Sequence, residues 1–155
     1  MLTIVAAAVA LVLSTTATRA DWAYTRWGMT PAQVAKASGG AAKVLPKKSW
    51  QNMPGTDLQV AAKGSHFDGR VRLHLSFLFG RDTGRLSCVS YTAVDQGQNA
   101  ALEEALIERH GPPNSKSELP AIGMSTLTWT EPDNIDLTLM SDAPAWALHC
   151  AARAQ

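Results

Sequence analysis

Between Val71 and Val94 apolar and polar residues alternate on either side of a short polar break. Val71, Leu73, Leu75, Phe77 and Phe79 take every second position, with Arg72, His74 and Ser76 between them, the period of a strand that buries one face. Gly80-Arg81-Asp82-Thr83-Gly84 separates this run from the next. A type I turn with Gly84 in the left-handed conformation sets Phe77 opposite Val89 and Leu75 opposite Tyr91. Apolar then meets apolar, and a hairpin is predicted.

Upstream, Met29-Thr30-Pro31-Ala32-Gln33-Val34 carries the signals of a helix start. Thr30 is the N-cap, Pro31 fills the first helical position, Gln33 completes a capping box, and Met29 with Val34 forms a hydrophobic staple. Gly39-Gly40 stops the helix early. Residues 43–57 hold two prolines and Trp50 without a sustained period, so an exposed loop is expected there. A modest strand follows over 58–63, and 64–69 reads as the turn into the hairpin.

Beyond Val94, Leu102, Ala105, Leu106 and Arg109 recur at helical spacing, with the acids early and Arg109 and His110 late, as the helix dipole favours. Gly111-Pro112-Pro113 closes that helix, and a polar loop is expected up to Pro120. Two alternating runs around Glu131-Pro132-Asp133-Asn134 form a second hairpin, with Leu127 and Trp129 on one strand and Ile135, Leu137 and Leu139 on the other. In the last strand Trp146, Leu148 and Cys150 share one side, and Trp146 is expected in the core with Trp27, Phe77, Phe79 and Trp129. The order predicts an α+β fold: an antiparallel sheet with two short helices on one face, the other face partly open. It is compatible with a tandem αβββ duplication, with halves 21–94 and 95–155.

The N-terminus changes the setting. Leu2 to Leu13 is a twelve-residue apolar run, and small residues stand at Thr18 and Ala20, so residues 1–20 read as a signal peptide and 21–155 as a single mature domain. A permanent membrane anchor is not expected, because a spanning helix needs about 20 apolar residues. No cysteine lies near the cleavage point to accept a lipid. The expected location is periplasmic or secreted. In such an oxidising compartment the two cysteines, Cys88 and Cys150, are read as a disulfide, the alternative being two buried thiols. Cys88, Cys150 and His149 lack a recognisable metal-ligand spacing, and no metal or cofactor is expected.

Charge is distributed unevenly. Asp21 to Ser90 holds 10 Lys or Arg against 4 Asp or Glu, whereas Tyr91 to Gln155 holds 3 against 9. Either the halves complement one another, or the basic half, with Lys43, Lys47, Lys48, Arg70 and Arg72, faces an anionic partner. Nucleic acid is not expected, since without residues 1–20 the chain is formally neutral and lacks the basic footprint of such binders.

The Trp27-to-Val34 entry, Phe79 with Gly84-Arg85-Leu86, the Arg109-His110-Gly111-Pro112 helix end, and Trp129 with Ile135-Asp136-Leu137 together resemble small exported bacterial proteins. In plan they are similar to secreted β-lactamase-inhibitor proteins and to the small lipoprotein of the outer-membrane assembly machine. The resemblance implies a helix-on-sheet scaffold used for binding proteins, and it carries no catalytic residue over. The missing lipid-attachment cysteine departs from the lipoprotein branch.

Hydrolase, zincin, phosphate-loop and redox motifs are absent from the sequence, and no catalytic residue is assigned. His66 is read as a turn residue, His74 as the polar side of a strand. The expected function is an exported, non-catalytic binding protein that contacts an envelope protein or secreted enzyme through the open sheet face or the 43–57 loop. Trp22, Tyr24, Trp50 and Tyr91 are its candidate partner-binding residues. The alternative is an unrecognised hydrolase or small-ligand-binding protein around His74, which requires a carboxylate beside that imidazole. A structural envelope protein without a dedicated partner is a third reading.

Overall fold

The computed structural model describes residues 22–152, so the signal peptide expected over 1–20 lies outside it. Helix α1 (Pro31–Ala37) begins as its sequence requires: the Thr30 hydroxyl accepts the Gln33 backbone N–H at 3.3 Å, and Gln33 Oε1 accepts the Thr30 N–H at 2.8 Å. Thr30→Ala, which removes one of these two bonds, is expected to cost about 1 kcal/mol, measured by urea unfolding. Gly39, at φ 61°, ends the element in a conformation that disfavours side chains. Helix α2 (Asn99–His110) buries Leu102 and Leu106. Asn99 fastens its start by donating to the Ala143 carbonyl at 3.0 Å and accepting from the Ala145 N–H at 2.7 Å.

The strands are β1 (Ala42–Val44), β2 (Gln51–Asn52), β3 (Leu58–Phe67), β4 (Arg72–Gly80), β5 (Leu86–Ala93), β6 (Ser115–Leu119), β7 (Met124–Trp129), β8 (Asn134–Met140) and β9 (Trp146–Cys150). They form one antiparallel sheet in the order β1-β3-β4-β5-β9-β8-β7-β6, with β2 also pairing β3. Residues up to Ala93 build one side of the sheet and residues from Ser115 the other, and β5 meets β9 at the seam. The hairpin has the expected register: Leu75 opposes Tyr91, Phe77 opposes Val89, and Gly84 lies at φ 62°.

Both helices cover the same face. Val34 of α1 and Leu102 and Leu106 of α2 belong to the buried cluster that holds Leu73, Leu75, Phe77, Phe79, Tyr91, Trp129, Ile135 and Leu137. Large side chains from both halves therefore share one core, whose burial is the main favourable contribution to folding. Across the seam on the opposite face, Cys88 and Cys150 are register partners joined by the disulfide. No helix among the described residues is long and apolar enough to cross a membrane.

Several expectations need correction. The 43–57 segment is not all loop, since β1 and β2 lie in it and pair with β3. Strand β3 continues through Phe67, which places His66 in a strand and reduces the turn to the residues after it. The polar stretch before Pro120 forms β6, an edge strand exposed along its length. These edges are held by backbone hydrogen bonds, which leave little trace in side-chain pattern. Trp146 is not in the core: it is 41% exposed, and Ala147 and His149 are the buried residues of β9.

Candidate docking surface

Residues directly opposite one another in an antiparallel ladder project from the same face, so the registers define what the uncovered face carries. One row crosses it from Ser65 through His74, Thr92, Trp146 and Thr138 to Thr126. The neighbouring row runs from Lys43 through Lys63, Ser76, Ser90 and Leu148 to Asp136. Trp146 therefore stands near the middle of the sheet, on β9 between β5 and β8, among hydroxyl side chains. Arg72 and Phe67 are partners at the margin beside β3, with the guanidinium 5.6 Å from the ring centroid.

One end of this face is covered. Leu45, Met53 and Leu58 pack on Val60, Leu78 and Cys88, alongside Leu148 and Cys150, so the arm between β1 and β3 folds over the disulfide. Trp50 is half-buried against the main core, and its indole N–H donates to the Leu45 carbonyl at 2.9 Å. That bond fixes the bend of the arm.

Two of the residues expected to contact a partner are inside. Trp22 is 4% exposed and Tyr91 1%. Trp22 packs within 5.6 Å of Tyr91 and 6.3 Å of Phe77, ring centroid to centroid, closing the helix-covered face. Tyr24 is half-buried against the same cluster, and burial pushes its phenol up to about 12. Tyr91 is an inward residue of β5, and the turns of the segment from Trp22 to Met29 fold Trp22 and Tyr24 onto the same core. The aromatic residues that the open face does present are Trp146 near its middle and Phe67 at its margin.

No known protein family, curated protein or solved structure matches the chain.

Chemistry elsewhere is sealed or sparse. Asp133 and His149 are 4% and 2% exposed. Asp133 Oδ2 receives the indole N–H of Trp27 at 3.1 Å and lies 3.2 Å from His149 Nε2, while Oδ1 receives the Ala152 N–H at 3.2 Å. With Nε2 donating, His149 Nδ1 is an acceptor, and it is buried without a partner. Burial lowers the imidazole pKa to about 4 against the opposing pull of Asp133. His110 stacks edge-on at 5.7 Å. This is the pairing of an acid–base dyad, but its burial denies a substrate access, and its bonds tie both ends of the described chain to the sheet. His74 is exposed between Ser65 and Thr92 and makes no hydrogen bond to a carboxylate among the described residues. Two surface concavities, about 350 Å³ beside Met124 and Met140 and about 660 Å³ between Pro54 and Arg81, contain neither histidine nor cysteine.

Proposed function

We propose that the protein is an exported, non-catalytic binding protein that docks an envelope protein or secreted enzyme on its open sheet face. The observation that carries this reading is Trp146, exposed in the middle of a face that no helix covers. Exposed tryptophan is costly in water and is enriched among residues that dominate binding energy, where a polar rim excludes solvent around an apolar anchor. The flanking Ser90, Thr92 and Thr126 are partly exposed and supply donors and acceptors for a polar rim. The disulfide is consistent with an oxidising compartment. The 43–57 arm is a flank of this surface, not a separate site.

Affinity capture of the oxidised protein from an envelope extract tests the proposal, with Trp146→Ala as control. The wild type is expected to retain a stoichiometric companion, and Trp146→Ala to lose roughly 2 kcal/mol or more of binding. Because the ring is exposed, folding stability should change by no more than about 0.5 kcal/mol. Equal retention by both proteins would refute the reading, as would an absence of any companion.

A further inference from the structure

Building on the docking reading, we propose that the partner presents an acidic protein surface to a basic margin formed by Lys43, Lys63 and Arg72, with Lys47 and Lys48 on the adjoining arm. Lys43 and Lys63 are register partners on the open face, and Arg72 stands on the same face at Phe67. All five cations are exposed. None forms an ion pair or donates a side-chain hydrogen bond among the described residues.

The other cations near the sheet are differently placed. Arg70 makes two bonds to Glu108, at 3.1 and 2.9 Å, and Lys116 pairs with Glu118 at 2.8 Å. Arg81 and Arg85 donate to the carbonyls of Thr56 and Gly28. Arg70 thus carries the complementarity between the two halves and drops out of the basic set that the sequence alone nominated. On the open face, what is left unneutralised collects along one margin. Asp57, the acid of the arm, lies by Arg81 at its far end. Asp136, on the opposite side of the face, accepts the Thr128 hydroxyl at 2.7 Å. The acid nearest Arg72 in sequence register, Asp68, accepts the Arg70 and Val71 backbone N–H groups, and a partner that sets its apolar contact on Trp146 therefore meets a net excess of positive charge on one side.

Carboxylates answer that charge best. Arg72 is held along the surface by its ring contact, leaving a planar fork of N–H donors for a carboxylate. Beyond the margin, rows of hydroxyls offer directional bonds that suit a folded protein, whereas membrane-surface binding draws on a continuous apolar stripe flanked by cations. Such a margin accelerates association and makes it salt-sensitive.

The test uses the full oxidised protein and labelled poly-L-glutamate as probe, followed by fluorescence anisotropy. Binding at about 20 mM NaCl should weaken roughly tenfold or more at about 200 mM and in Lys43→Glu/Lys63→Glu/Arg72→Glu. These positions are exposed, so the variant should keep the wild-type melting temperature, and the single Lys63→Glu change serves if it does not. The same reversal should release the companion captured from the envelope extract. Unaltered poly-L-glutamate binding by the reversal variant would overturn the inference. So would tighter, lysine-dependent binding to phosphatidylglycerol vesicles, or lysine-dependent dimerisation in sedimentation. If Trp146→Ala releases the companion and the charge reversal does not, the docking reading stands and the acidic partner falls. If neither change releases it, the docking reading itself falls.

Discussion

Replacing Cys88 and Cys150 together by alanine is expected to lower folding stability by about 4 kcal/mol, the chain-entropy value for a cross-link of this span. The two residues are 62 positions apart in sequence yet directly opposite in the sheet. The bridge therefore removes a large share of the conformations open to the unfolded chain, while asking the folded chain only to keep a register it already has. It also lies at the seam between the two halves and under Leu45, Met53 and Leu58. Urea unfolding of wild type, reduced wild type and the double variant would measure the effect, with a fall in melting temperature on the order of 10 °C. A loss below about 1 kcal/mol would mean that the β5–β9 ladder and the shared core hold the seam unaided. The open face should respond as well. With the sulfurs gone, the arm loses part of the surface on which it packs, so binding of the proposed partner should weaken in the double alanine variant at temperatures where the fold remains intact.

Local signals were the readable part of this chain. Thr30, Pro31 and Gln33 act on neighbours within one turn, and the observed cap is the one their spacing implies. The hairpin register followed from a turn of known geometry, because Gly84 determines where each residue of β5 falls against β4. The last strand shows where such reasoning stops. Alternation in Trp146-Ala147-Leu148-His149-Cys150 separates two sets of side chains, but period two does not say which set faces inward. Volume argued for Trp146. The core beneath β9 is already filled by Tyr91, Trp129, Ile135 and Leu137, so Ala147 fits where an indole would not. His149 enters beside it because Asp133 offers a partner. Edge strand β6, with all its side chains exposed, had no pattern to show. Trp22 and Tyr91 were misplaced for a related reason: they are distant in sequence and become neighbours only once the N-terminal segment folds onto the sheet. Trp146 of the open face was consequently assigned to the core, and Trp22 and Tyr91 of the core to the surface.

Asp133 is where the second large effect is expected. It lies in the turn between β7 and β8, as its sequence suggests, and there it is a buried acceptor shared by Trp27, His149 and Ala152. Asp133→Ala would leave those donors without their acceptor, and a loss of roughly 3–5 kcal/mol is expected, the range for a broken buried polar pair. The same cluster sets a pH dependence whose sign follows from burial. His149 has a pKa lowered from 6.5 to about 4, first by burial and against the opposing attraction of Asp133. Between those values the unfolded chain binds a proton that the folded chain refuses, so acid favours unfolding. The contribution is complete above about pH 6.5 and is lost as pH falls toward 4, roughly 3 kcal/mol over the interval. His66 and His110 are also lowered, chiefly by burial, and act in the same direction. Urea unfolding from pH 8 to pH 4 should therefore show a falling stability in the wild type and a flatter acid limb in His149→Gln. That variant keeps a side-chain donor for the Asp133 carboxylate and has no proton to gain in this range. An equally steep acid limb in both proteins would show that the imidazole at this position does not govern acid stability, whereas a selective flattening would identify His149 as the main group through which acid opens the join between the chain ends and the sheet.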